Sequence, residues 1–253
     1  MHETSRRDLY RSLGLRPMVT RVMYPNPTAD PPDSTIPRLE FFSKLDRASG
    51  IPLTEVNEAN RHQGMYLARM PGFHASAGGA STKTVLVKFT ENYNEDAHRL
   101  LADNNPPLAP ALYHSMRVFG GLYMVVMEYV SSAKDLHRFF VPPHLSPLLD
   151  VDAIRRDLTR ALYLLHGKDF VFGDLRPPNV LYSPEENRAF LIDFDWVGKH
   201  EEDRYPTCLN TGGPGLGVHQ WEIMKKSHDR ANLERLMGWL SGELAALQFL
   251  AQS

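Results

Sequence analysis

The sequence predicts an α+β protein in two lobes, a small β-rich one followed by a short helical one. Two observations predict it. Up to Val130 the apolar residues fall in short runs of strand length, with one helix among them. From Val151 onward they recur at spacings of three and four, as on one face of a helix. No internal repeat is visible, and strands and helices segregate along the chain rather than alternate.

The elements follow in order. Residues 17–37 hold Pro17, Pro25, Pro27, Pro31, Pro32 and Pro37. Proline lacks the amide donor, so residues 1–37 read as an extended or disordered arm or linker. Residues 38–130 form the small lobe. "GMYLARM" (64–70) and "KTVLVKFT" (83–90) read as strands joined by the Gly-rich, turn-like "PGFHASAGGAST". "NEDAHRLLAD" (94–103) reads as a helix stopped by "NNPP", and "ALYHSMRV" and "GLYMVVMEYV" as two more strands. Residues 131–253 form the helical lobe. In "VDAIRRDLTRALYLLHG", Val151, Ile154, Leu158, Leu162 and Leu165 share one face, with Gly167 as the expected C-cap. "VF", "NVLY" and "AFLI" are short strands, the last two a hairpin turned by "SPEEN". From Asp229, the residues Leu233, Leu236, Leu240, Leu244 and Leu247 mark a second amphipathic helix.

Bulk properties narrow the function classes. The chain of 253 residues is 42% apolar, enough for a core, with net charge −2 and pI about 6.6. That balance exerts no long-range pull on nucleic acid or an anionic membrane, and neither is expected as a partner. The single cysteine, Cys208, rules out an internal disulfide framework. "MHETSRRDLYRSLGL" has no apolar run of signal-peptide length, and no stretch approaches the roughly 18 apolar residues of a membrane span. The expectation is a soluble intracellular protein, cytoplasmic or nuclear.

"FGDLRPPNVLYSPEENRAFLIDFDWVG" (172–198) concentrates Asp174, Asn179, Asp193 and Asp195 on an apolar framework. Like charges so close are costly to bury unless a cation sits between them. The hairpin brings Asn179 and Asp193 side by side, as oxygen ligands for a hard cation such as Mg²⁺. Asp174 points into the same space as a carboxylate able to accept a hydroxyl proton. Arg176 adds a cation suited to phosphate oxygens. Lys88 is the polar exception in an otherwise apolar strand.

These pieces, in this order and at these spacings, resemble the protein-kinase family over residues 60–240. "DLRPPN" is similar to the catalytic loop D-L-K-P-x-N, with Arg176 where a lysine commonly stands. "IDFDWVG" is similar to the metal-binding D-F-G segment, with Asp195 in place of the glycine. "VLVKF" resembles the strand that carries the phosphate-binding lysine, and "MVVMEYV" the hinge between lobes. "FDWVGKHEEDRYP" and the later His228-Asp229 resemble small, divergent, fungal-type kinase-like proteins. The resemblance implies a bilobal protein-kinase-like fold that transfers the γ-phosphate of Mg-ATP to a hydroxyl acceptor, a protein Ser/Thr first. It implies that Lys88 holds the α- and β-phosphates and that the backbone of Glu128 and Val130 binds adenine. Asn179 and Asp193 would hold Mg²⁺, and Asp174, with Arg176, would act in catalysis. A pseudokinase or kinase-shaped interaction module, and a small-molecule phosphotransferase of the aminoglycoside-kinase type, stand as alternatives.

The departures from the pattern are specific. His-Arg-Asp reads Phe172-Gly173-Asp174, and glycine before the aspartate is typical of small-molecule phosphotransferases. No G-x-G-x-x-G precedes Lys88. "RASGIP" (47–52) is the candidate remnant, and "SAGGAS" reads as the turn into the lysine strand. By distance His98 occupies the slot of the glutamate that pairs with the lysine. Glu95, one turn earlier, offers the carboxylate and is preferred. Asp195 is expected to be structural, Trp196 and Trp221 to serve core or turn packing, and His228-Asp229 to anchor the catalytic loop or cap the helix.

Overall fold

The computed structural model describes residues 20–22, 24–32, 34–46, 52, 53, 55, 56, 64–74, 80–140, 149–207, 209 and 217–252. Cys208 and residues 47–51 of the candidate phosphate loop lie outside the described residues. The strands are β1 (Thr20–Arg21), β2 (Glu40–Leu45), β3 (Pro52–Leu53), β4 (Glu55–Val56), β5 (Met65–His74), β6 (Ala80–Thr90), β7 (Leu112–Val118), β8 (Leu122–Glu128), β9 (Lys134–Asp135), β10 (Phe170–Val171), β11 (Val180–Ser183), β12 (Arg188–Leu191) and β13 (Gly198–Lys199). The α-helices are α1 (Glu95–Ala102), α2 (Val151–Gly167) and α3 (Lys226–Gln252).

Six strands form one antiparallel sheet in the order β3-β2-β5-β6-β8-β7. The period of two sorts β6 by face. Val85 and Val87 pack with Ala68, Met70, Met124 and Val126 on one side, and Leu86 lies against Leu112, Val125 and Met127 on the other. Lys88 and Thr90 share the face of Leu86. The outer face is covered partly by Ile36 and Leu39. Of the proline-rich arm, residues 1–19 lie outside the described residues; the part around Thr28 and Asp30 lies along the sheet, where the Phe119 amide donates to Thr28 O at 2.8 Å and that of Asp30 to Arg117 O at 3.2 Å.

Several expectations need correction. β5 and β6 reach past the expected boundaries, so both ends of "PGFHASAGGAST", residues 71–74 and 80–82, are strand, with a bulge between Pro71 and Phe73 where Gly72 takes φ +103, while residues 75–79 of the expected turn lie outside the described residues. β2 was invisible because its "FFSKL" lacks alternation; Ser43 and Lys44 are both buried. Gly167 is the last helical residue of α2 and not its cap. The cap is Lys168, and Asp169 takes the left-handed turn at φ 62. Trp221 is 61% exposed, on a turn at φ 63, so core packing is excluded for it.

The larger core lies in the helical lobe. Ile154, Leu158, Leu162 and Leu165 of α2 meet Leu233, Leu236, Met237 and Leu240 of α3. Ala97 and Leu101 of α1, which the sequence places with the strands, are buried in this same cluster.

Candidate active site

Lys88 reaches from the sheet into the stretch after β12. Its ammonium donates to Asp193 Oδ1 at 2.6 Å and to Asp195 Oδ1 at 2.7 Å, 105 and 107 residues away in sequence. Thr90 Oγ1 donates to the other Asp195 oxygen at 2.7 Å. Asp193 has φ 71 and ψ 71, a left-handed conformation that non-glycine residues avoid and that concentrates at functional sites.

The hairpin β11–β12 explains the arrival of Asp193. Val180 pairs with Leu191, and the ladder continues one step, Ile192 N donating to Asn179 O at 3.0 Å. Asn179 closes the tight turn Pro177–Asn179, whose prolines suit its first positions. Its amide nitrogen donates to Asp174 O at 2.9 Å and to Asp174 Oδ2 at 2.7 Å. Arg176 Nη2 donates to Asp174 Oδ2 at 3.0 Å. Arg176 Nε lies 2.8 Å from Oδ1 as an ion contact rather than an aligned hydrogen bond, and Oδ1 is buried without a hydrogen-bond partner.

Asp174 is 3% exposed. Burial first, then the charge of Asp193, pushes its carboxyl up to about 6, against Arg176 and Asn179. Burial and Asp193 also push Asp195 up, against Lys88 and Thr90. Two cations, Lys88 and Arg176, lie against these three carboxyl groups.

The backbone of the segment that leads into Asp174 is held from α3. Buried Asp229 accepts from the Phe172 and Gly173 amides at 2.8 and 2.9 Å, and from His166 Nε2 at 2.9 Å. This is the anchoring expected of it; His228 instead faces Tyr205 and Glu222. Gly173 takes φ +80, and a Cβ there would lie 2.5 Å from Met224 Cε and 3.1 Å from Trp196 O. Only glycine fits.

Glu95 is corrected. Its carboxylate accepts from Arg99 Nε at 2.8 Å, one helical turn on, and Lys88 is held by Asp193 and Asp195 instead. The i,i+4 arginine is the nearer cation. His98 does not reach Lys88 either. It is 1% exposed, stacks on Phe194 at 4.5 Å and 7°, and donates from Nε2 to Pro110 O at 2.7 Å. Its Nδ1 then accepts from the Tyr93 hydroxyl. Glu128 and Val130 stand at the exit of β8. Glu128 N donates to Ala111 O at 2.8 Å, and Val130 O accepts from Ala133 N at 3.2 Å.

Sequence reasoning missed Thr90, Asn94 and the position of Asp195. Thr90 carried a signal, since it lies two residues after Lys88 on the same face. Asn94 caps α1, accepting from Ala97 N at 3.0 Å, and its backbone amide donates to Phe194 O at 3.1 Å.

The donor set fits a hard divalent cation. The nitrogen of Asn179 is committed to Asp174, which leaves its carbonyl oxygen, and Asp193 supplies a carboxylate. Among the described residues, no group of three or more His, Cys, Asp or Glu could hold a metal by itself. Mg²⁺ suits such a place, because it takes one or two protein oxygens and completes its shell with phosphate and water.

No protein-family model matches the chain. The serine/threonine-protein kinase nrc-2 of Neurospora crassa is 31% identical over 111 residues, 44% of this chain and 18% of that protein. The serine/threonine-protein kinase ppk22 of Schizosaccharomyces pombe is 32% identical over 99 residues, 38% of this chain and 18% of that protein. The chain thus spans about a fifth of the length of these curated relatives. Among solved structures, the kinase PK-1 of Cydia pomonella granulovirus superposes with a TM-score of 0.53 at 22% identity, covering 77% of this chain and 65% of that one. The fold is the protein-kinase fold. The chain is a divergent protein-kinase-like one.

Proposed function

We propose that the protein is an ATP-dependent phosphotransferase, moving the γ-phosphate of Mg-ATP to a hydroxyl acceptor, a Ser or Thr of another protein. The observation that carries this reading is the contact of Lys88 with Asp193 at 2.6 Å, beside a buried Asp174 already held by Asn179 and Arg176.

The chain's own groups divide the work. Lys88 holds the α- and β-phosphates, and the backbone of Glu128 and Val130 holds adenine at the exit of β8. Asn179 and Asp193 would hold Mg²⁺, which supplies charge neutralisation of the phosphate oxygens when bound. Asp174 orients the acceptor hydroxyl and takes its proton as the oxygen bonds to the γ-phosphorus and the bond to the β-phosphate oxygen breaks, leaving ADP. Its carboxyl near 6 is ionised at neutral pH and close enough to it to serve as base. Arg176 steadies that carboxylate and stands ready for phosphate oxygens. Gly173 carries little weight toward a small-molecule acceptor, because the left-handed turn beside the Trp196 carbonyl already favours it. No described helix is long and apolar enough to cross a membrane, and use of ATP fits an intracellular setting.

A thermal-shift titration with ATP, with and without Mg²⁺, followed by a turnover assay, tests the reading. Ligand at about 100 times Kd stabilises by about 2.7 kcal/mol, or roughly 5–10 °C for a chain of this size. The shift should need Mg²⁺, vanish in Asp193→Ala and weaken in Asn179→Ala. A full Mg²⁺ response in Asp193→Ala sinks the metal assignment. Nucleotide stabilisation without transfer to peptide or small-molecule acceptors would mark a pseudokinase.

A further inference from the structure

We propose that Asp195, and not a carboxylate on α1, positions Lys88, and that it continues to do so when Asp193 turns to Mg²⁺. This rests on the phosphotransferase reading. An oxygen shared with a divalent cation is a poorer acceptor for an ammonium, so a lysine held by Asp193 alone would lose its hold as the metal arrives. Asp195 supplies a second hold. One of its oxygens takes Lys88 at 2.7 Å and the other takes Thr90 at 2.7 Å. Lys88 and Thr90 stand two residues apart on one face of β6, so the strand that carries the lysine also orients its carboxylate. With one oxygen on the ammonium and the other on a hydroxyl, Asp195 is engaged by the strand and serves as a positioning residue rather than a metal ligand.

Helix α1 has no part in this hold. Glu95 is spent on Arg99, and His98 on Pro110 and Tyr93. The helix is also tied down at its start. The backbone amide of Asn94 donates to Phe194 O, and its side chain to Val197 O at 3.3 Å. Ala97 and Leu101 are buried in the core of the helical lobe. The lysine is therefore set by the sheet and the segment 193–195, with no inward swing of α1 required.

Two measurements on the full chain test this. The first is acetylation of Lys88 by an amine-reactive acetyl ester, followed by mass spectrometry without nucleotide. Asp195→Asn should raise the Lys88 labelling rate several-fold, since the side chain then keeps one carboxylate hold in place of two and reaches the reagent more often. Thr90→Val, which keeps shape and removes the hydroxyl, should move it the same way, and Glu95→Gln should leave it unchanged. The second is the split between kcat, KM for ATP and the Mg²⁺ requirement. Loss of a charge-assisted contact should raise KM for ATP by about 10-fold to 100-fold in Asp195→Asn, with the Mg²⁺ requirement unchanged and partial rescue by Asp195→Glu. Asp195→Gly, which restores the residue common in the family, should behave like Asp195→Asn. Unchanged Lys88 labelling in Asp195→Asn, or an equal rise in Glu95→Gln, overturns the proposal. So does a raised Mg²⁺ requirement without a change in labelling, which would make Asp195 a metal ligand. A wild-type chain indifferent to Mg-ATP overturns the phosphotransferase reading instead, and the labelling still decides whether Asp195 holds Lys88.

Discussion

Asp174 carries opposite demands at one residue. Its folded carboxyl, raised to about 6 from an ordinary 3.8, favours the protonated form. The stabilisation from that form is complete below 3.8 and lost as pH rises through about 6. At neutral pH the ionised carboxylate therefore works against the fold, by an amount on the order of 1–3 kcal/mol. On the proposed reading, Asp174→Asn removes the base and this strain together. Transfer should fall by about 10²–10⁴ while nucleotide affinity holds, since other residues bind nucleotide and metal. The melting temperature at pH 7 should rise by a few degrees. A variant that is inactive and also less stable would show that Asp174 serves the loop's structure rather than its chemistry.

At the scale of the element, α1 is defined by what its polar groups reach. Asn94 caps it, Glu95 and Arg99 pair along its surface, and His98 turns inward. Burial lowers His98 from 6.5 to about 4, chiefly against the opposing hydrogen bond to Pro110. The groups facing it are Tyr93 on the approach to the helix, Arg99 and Asp103 on the helix side, and Phe194 from the segment opposite. An unfolded histidine takes up a proton between 6.5 and about 4 that the folded one refuses, so stability falls as pH drops across that window. The full effect is on the order of 3 kcal/mol. Asp174 works in the opposite sense over an overlapping range, so the difference between variants is what reports on His98. In urea unfolding between pH 7 and 4, the stability of His98→Phe relative to the unmodified chain should rise as pH falls below 6.5, by up to about 3 kcal/mol. Parallel curves would mean His98 is protonated in the fold.

For the whole molecule, the division of the core matters more than the division of the chain. α1 follows a strand of the sheet, yet its buried residues join the cluster of α2 and α3. Cooperative units follow shared burial. Amide hydrogen exchange should therefore group the core amides of α1 with those of α2, at higher opening free energies than the edge strands β3 and β7. Exchange of α1 in step with the sheet, ahead of α2, would contradict this. The same tie to the helical lobe is why the lysine's second carboxylate comes from beyond β12 rather than from α1.

The sequence by itself determined what depends on nearby residues. Periodicity placed α2 to within one residue at its C-terminal end, since one apolar face sufficed. Turn chemistry placed the β11–β12 hairpin, which sets Asn179 beside the approach to Asp193. The spacing of "DLRPPN" and "IDFDW" was enough to mark a charged cluster. Tertiary structure alone decided which carboxylates meet which cations. Lys88 and Asp195 are 107 residues apart, and no local pattern chooses among Glu95, Asp193 and Asp195 as a partner. Glu95 found its cation four residues away, where helical geometry delivers Arg99 without any long-range closure. Lys88 had no such neighbour, and its burial at 8% exposure left it to whatever carboxylates the second lobe brought within reach.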